Sequence, residues 1–207
     1  MHNEKVWLVT EVSAGFGPNL IKSLLLNGQR VAAISGNKEA LQAVAGRTRS
    51  QNLLALTAEP DDEDGIKKAV EHTIARFGKI DIVVNNTGMF GSYYMLKQVI
   101  PYLQDQRSGH IINFSSSFTG PIGTGEAGTA TAGNCLICTA TKLAIESLSK
   151  ALIAEAGAFG IRVTRITEPA IFGGAALGMA LIGEPPAIRE SPAAFLPRRA
   201  CQRLQHQ

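Results

Sequence analysis

Apolar residues along this chain gather into short, nearly unbroken runs, separated by longer stretches in which they recur every three or four positions. Val6 to Val9 is the first run, followed by Val31 to Ile34, Leu53 to Leu56, Ile80 to Val84, Ile111 to Phe114 and Ile161 to Ile166. Runs of this length predict strands, and the first five, with at most one polar residue each, predict strands covered on both faces. Between them, Phe16 to Asn27 places Leu20, Ile21, Leu24 and Leu25 on one helical face, with Gly28 as the stop. The spacing predicts further helices near Lys38 to Val44, from Asp61 to Phe77, over Tyr94 to Gln104 despite Pro101, and over Asn134 to Ala158. Asp61, Asp62, Glu63 and Asp64 put negative charge where the start of a helix favours it. Strand and helix alternate almost throughout, which predicts an α/β fold: a Rossmann-type, doubly wound parallel sheet with helices on both faces. The whole chain, 1–207, is expected to form one domain. Beyond Ile171 the pattern fades, and Pro185, Pro186, Pro192 and Pro197 make 173–207 read as a loop-rich tail.

Composition narrows the class without naming it. With 45% hydrophobic and 18% charged residues and a net charge of +3, the chain has an ordinary globular make-up. Arg198, Arg199 and Arg203 form a small basic cluster without aromatic partners, so no nucleic-acid partner is expected. No run reaches the ~18 apolar residues of a membrane span. The polar start, Met1 to Lys5, lacks a signal peptide's layout. Cys135, Cys138 and Cys201 are too few for a disulfide framework, so a cytoplasmic setting is expected. Cys135 and Cys138 make a CxxC pair, read as two small helix residues because the surrounding pattern is not thioredoxin-like. The four histidines show no ligand spacing, and no metal is expected.

Two segments carry chemistry. The first, Thr10-Glu11-Val12-Ser13-Ala14-Gly15-Phe16-Gly17, joins the first strand to the first helix. Glycines there let backbone approach a pyrophosphate, whose charge suits free N–H groups at the helix start. The second runs from Gly109 to Lys142: a strand ending in Ser115-Ser116-Ser117, a loop rich in glycine and threonine, then a helix carrying Cys138 and Lys142.

Over about 5–172 these segments resemble the short-chain dehydrogenase/reductase family. The glycine turn is similar to its TGxxxGxG signature, matched at Thr10, Gly15 and Gly17. Asn85-Asn86-Thr87-Gly88 resembles its NNAG motif, Lys142 the lysine of YxxxK, and Pro169 the segment beside the nicotinamide. The resemblance implies hydride transfer between NAD or NADP and a small carbonyl or alcohol substrate. It assigns Thr10, Ser13, Gly15, Phe16, Gly17, Asn86, Gly88, Lys142 and Pro169 to the cofactor. Ser116, Cys138 and Lys142 are assigned to the chemistry.

Several positions depart from that pattern. Glu11 replaces the first glycine of the turn, where positive φ would cost about 1–2 kcal/mol. Its carboxylate about 5 Å from a phosphate adds roughly 3 kcal/mol of repulsion at an effective dielectric of 20. Cys138 takes the place of the tyrosine that moves the hydroxyl proton, four residues before Lys142 and so on its helical face. A thiol titrates near 8.5 but is a weak donor and shorter than a phenol. Tyr93, Tyr94 and Tyr102 are read as helix-packing residues rather than substitutes.

Only about 20 residues separate Gly88 from Gly109, and they include no asparagine, so the family's fourth catalytic residue has no counterpart. Ser35-Gly36-Asn37-Lys38 carries neither the arginine nor the aspartate that the resemblance leads one to expect, although Lys38 could meet a 2′-phosphate. Thr57 replaces the acid that meets adenine. Two readings stay open: an oxidoreductase with impaired catalysis, and a pseudoenzyme or non-catalytic binding module. The trimmed helix after the fourth strand predicts a weak homodimer or a monomer.

Overall fold

The apolar runs become the strands of one sheet because each presents alternate side chains to two helical layers. Along β1 (Val6–Thr10), Val6 and Leu8 enter one apolar layer while Trp7 and Val9 enter the other. The same alternation holds in β2 (Arg30–Ser35), where Ala32 and Ile34 oppose Val31 and Ala33. Each fully buried aliphatic side chain contributes about 1.5–3 kcal/mol, so a one-residue slip in register would be costly. With β3 (Leu53–Thr57), β4 (Ile82–Asn85), β5 (Gly109–Phe114) and β6 (Ile161–Ile166), the sheet runs β3-β2-β1-β4-β5-β6, every pair parallel. This computed structural model describes residues 4–12, 17–48, 50–114 and 132–166; the side chains of 47, 48, 132–139 and 142 also lie outside the described residues.

Leu20, Ile21 and Leu24 of α1 (Gly17–Leu26) and Leu41 of α2 (Lys38–Thr48) cover one face. The other is covered by α3 (Glu63–Phe77), α4 (Met89–Gln106) and α5 (Ala132–Ala156), through Ile66, Val70, Met95, Val99, Leu103 and Leu152. Asp62 caps α3 by accepting from the Gly65 N–H at 2.9 Å, and Gly78 ends it at φ 81. The acidic start of this helix therefore supplies both a cap and favourable charge.

Two expectations change. α4 begins at Met89, directly after Gly88, not at Tyr94. The buried positions of its first turn are Gly91 and Ser92, which carry no apolar signal. A Cβ on residue 91 would lie 2.7 Å from Thr87 Oγ1 and 3.0 Å from Pro60 Cβ, so glycine is what lets this turn seat. Pro101 sits on the exposed face, where water can reach the carbonyl its ring leaves unpaired. Of the three tyrosines read as packing residues, only Tyr94 packs against the core; Tyr93 and Tyr102 are exposed.

The edge where the strands begin is closed by buried polar groups. Gln29 Oε1 accepts from the Lys5 N–H and from Trp7 Nε1, at 3.0 and 3.2 Å. Asp81 accepts from the Val6 N–H at 2.7 Å. His110, buried at the start of β5, has Arg162 3.2 Å from Nδ1 and Thr164 Oγ1 2.8 Å from Nε2. A guanidinium only donates, so Nδ1 accepts and the proton sits on Nε2. Burial, with the nearby charges of Arg162 and Lys5, pushes this histidine down to about 3, and it stays neutral.

Candidate active site

Strand order reverses between β2 and β4, which flank β1, and the crevice lies beyond the carboxyl ends of β1 and β4. Thr10, the last residue of β1, bridges that gap. Its Oγ1 donates to the Val84 carbonyl at 3.3 Å and accepts the Asn86 N–H at 2.9 Å. Asn86 returns the contact, its Nδ2 donating to the Glu11 carbonyl at 3.5 Å. Thr10, Glu11 and Asn86 are thus brought together from segments about 75 residues apart in sequence.

Glu11 stands at φ 54, the left-handed region that glycine occupies without cost. The backbone has kept the turn although its side chain opposes it, at about 1–2 kcal/mol. At the other end of the turn, a Cβ on Gly17 would lie 2.9 Å from Val12 Cα and 3.1 Å from the Glu11 carbonyl. Only glycine lets α1 start that close to the strand, which aims the helix start at the crevice. Strand order, the φ of Glu11 and Gly17 therefore fit a dinucleotide's pyrophosphate, while the Glu11 carboxylate opposes its charge.

Beside β2 and β3 the crevice narrows. Thr10, Glu11, Gly36, Glu59, Thr87 and Gly91 line a cleft whose enclosed space is about 10 Å³, roughly one water. Glu59, two residues past β3, lays its carboxylate against Gly36: a Cβ there would fall 2.5 Å from Glu59 Cδ. Glu59 was not singled out in the sequence, and the only signal for it was that Gly36 has no side chain. Thr57 ends β3, and Lys38 begins α2 with an exposed side chain.

On the catalytic side, a buried polar chain ties the sheet to both neighbouring helices. Asn85 Nδ2 donates to the Ser92 carbonyl and to Asn113 Oδ1, each at 3.3 Å. Asn113 Nδ2 donates to Ser149 Oγ at 2.9 Å, and Ser149 Oγ to the Ile145 carbonyl at 2.7 Å. Such a fully satisfied network fixes the position of α5 against β5 and α4. Sequence reasoning gave Asn113 no role beyond the lead-in to Ser116 and did not single out Ser149, since their pairing depends on how α5 meets β5.

At the crevice Gly88, the N-terminal boundary of α4, faces α5, where a Cβ on it would lie 4.0 Å from Thr141 Cγ2. Residue 141 precedes Lys142, so the α5 backbone passes the Asn86–Gly88 turn at the residue where the lysine is expected. Cys138 and Lys142 lie one turn apart on α5, described there only as helical backbone. Ser13, Gly15, Phe16, Ser116 and Pro169 lie outside the described residues. Among the described residues no group of three or more His, Cys, Asp or Glu side chains could hold a metal. None of the described helices is long and apolar enough to cross a membrane.

A parallel sheet in the order 3-2-1-4-5-6 with a glycine turn after β1 defines a Rossmann-type dinucleotide-binding architecture. The family profile for short chain dehydrogenase matches residues 5–176, and this chain belongs to that oxidoreductase family. An oxidoreductase of Botryotinia fuckeliana is 28% identical over 187 residues, covering 80% of this chain and 65% of that protein. An L-fucose dehydrogenase of Rattus norvegicus is 28% identical over 192 residues, covering 80% of this chain and 66% of that protein. The chain thus spans about two thirds of the length of these two relatives. In fold it is similar to a 3-ketoacyl-(acyl-carrier-protein) reductase of Brucella melitensis solved with NADH. The TM-score is 0.73 at 24% identity, over 91% of this chain and 94% of that one.

Proposed function

We propose that this chain binds a nicotinamide dinucleotide, NAD or NADP, and acts on a small carbonyl or alcohol, with proton transfer impaired at Cys138. The observation that carries the reading is the retained turn: Glu11 holds a glycine conformation beside a Gly17 that tolerates no side chain. A glycine-like φ at a position whose side chain disfavours it supports a turn shaped for a pyrophosphate. The relatives named above, an oxidoreductase and a sugar dehydrogenase, give the same direction to the chemistry.

When bound, the dinucleotide supplies or accepts the hydride. Thr10 and Asn86 hold the floor of the crevice, and Ser116 would orient the substrate oxygen. Lys142 would hold the ribose and draw down the proton affinity of its neighbour. During reduction a proton must reach the oxygen of the carbonyl as its carbon takes the hydride. A thiol at Cys138 is shorter than a phenol and a poorer donor, so it would serve less well, because proton transfer tolerates little misplacement. The expected enzyme is therefore slow.

Calorimetric titration with NADH and NADPH, followed by turnover of a generic ketone or aldehyde, tests both parts. Cys138→Tyr should raise turnover by roughly two orders of magnitude, the usual worth of a positioned acid. Wild-type turnover at the ordinary rate of about 10 per second would rule out the impairment. Absence of nucleotide binding, even after Glu11→Gly, would leave the alternative of a non-catalytic module. Exposed apolar residues on α4 and α5, Phe90, Tyr93, Leu143 and Ile153, support weak self-association, so a weak homodimer or monomer is expected by light scattering. The setting we infer is cytoplasmic.

A further inference from the structure

The end of β2 has no carboxylate to offer a ribose, and the Ser35 hydroxyl already accepts the Asn37 N–H at 3.1 Å. Gly36 has no side chain, and the Asn37 carboxamide is committed to capping α2, accepting the Ala40 N–H at 2.8 Å. The space above Gly36 is taken by Glu59, whose Oε1 would lie 2.7 Å from a Cβ on residue 36 and whose Oε2 would lie closer still. The placement is built in. Ser35 pairs in register with Thr57, and the Ala58 N–H donates to the Ser35 carbonyl at 3.2 Å, so the two strand ends leave the sheet side by side. Glu59 also turns into α3, its carbonyl accepting the Asp62 N–H at 3.1 Å, which holds its backbone against sliding. Its side chain is exposed at the mouth of the cleft that Glu11 and Gly36 line.

We propose that Glu59 is the residue that receives the adenosine ribose hydroxyls, so that the chain selects NAD(H) over NADP(H). The inference rests on the dinucleotide reading above and adds the choice of cofactor. A carboxylate accepts from the two ribose hydroxyls of NAD(H). The 2′-phosphate of NADP(H) would replace one donor by a dianion and bring it against Glu59, with Glu11 lining the same cleft. Lys38, exposed at the start of α2, is the nearby cation that could offset this, and the test includes it.

The test is parallel calorimetric titration of the full chain with NADH, NADPH, ADP-ribose and its 2′-phosphorylated form. The last two probe the adenosine end without chemistry. NADH should bind at least about tenfold more tightly than NADPH, with the same preference between the two ADP-ribose forms. Glu59→Gln should reduce the preference to about threefold or less, and Lys38→Ala should leave or widen it. Melting temperature should not move for Glu59→Gln, whose side chain is exposed.

Equal binding of both nucleotides, or an unchanged ratio in Glu59→Gln, would overturn the Glu59 assignment and leave the dinucleotide reading standing. Absence of binding to all four probes, in wild type and in Glu11→Gly, would overturn both.

Discussion

Where the strands begin, Gln29, Asp81 and His110 each satisfy backbone or side-chain partners from neighbouring strands. Where they end, Glu11 sits at a glycine's φ and Glu59 lies against a residue without a side chain. Both edges carry polar groups, yet at the first edge they close the fold, and at the second they line a cleft. Closure makes the first edge a source of stability, whereas the second edge carries backbone strain at Glu11. Strain of about 1–2 kcal/mol at Glu11 is tolerable because the buried layers on both faces of the sheet over-determine the strand ends.

The contrast breaks most visibly with pH. The folded-state pKa of His110 is lowered below its unfolded value, so its neutral form contributes stability that is complete above about pH 6.5 and lost as pH falls towards 3. Denaturant unfolding should lose up to about 1.4 kcal/mol per pH unit in that window, or about 3 kcal/mol by pH 4.5. His110→Gln should flatten the slope by at least half. An identical slope in both proteins would mean that another group sets it.

Gly17→Ala strikes the other edge. The new methyl would meet the Val12 backbone, which has no rotamer to move aside. Stability should fall by about 2 kcal/mol, with weaker binding of NADH and NADPH in calorimetry. A fully stable variant with unchanged binding would show that the close approach has no role. The smallest effect is expected at Glu4, whose paired carboxylate lies 2.8 Å from Arg30 across the starting edge, both side chains well exposed at 43% and 38%. Glu4→Gln should shift unfolding by less than about 0.5 kcal/mol, since only the buried contacts of that edge carry weight.

Periodicity made all six strands legible, most plainly in β1 and β2, where side chains buried on both faces leave an unbroken apolar run; at the sheet's edges β3 and β6 are only partly buried. It failed at the start of α4, where Gly91 and Ser92 do the packing and a hydrophobicity pattern has nothing to register. Motif reading found Thr10, Gly17, Asn86 and Gly88, which the fold gathers at one crevice. It did not find Glu59 or the Asn85–Asn113–Ser149 chain. Those depend on which strand ends lie beside which, and spacing along a chain carries no such information.

From its amino acids alone this protein settles its layers, its alternation of strand and helix, and the presence of a cysteine four residues before Lys142. Those are local matters, set by burial periodicity and by which residue stands where. Tertiary structure decided that Glu11 adopts a conformation its side chain disfavours and that Glu59 fills the space over Gly36. Both outcomes follow from contacts between segments distant in sequence, where packing of the whole sheet outweighs the preference of any single residue.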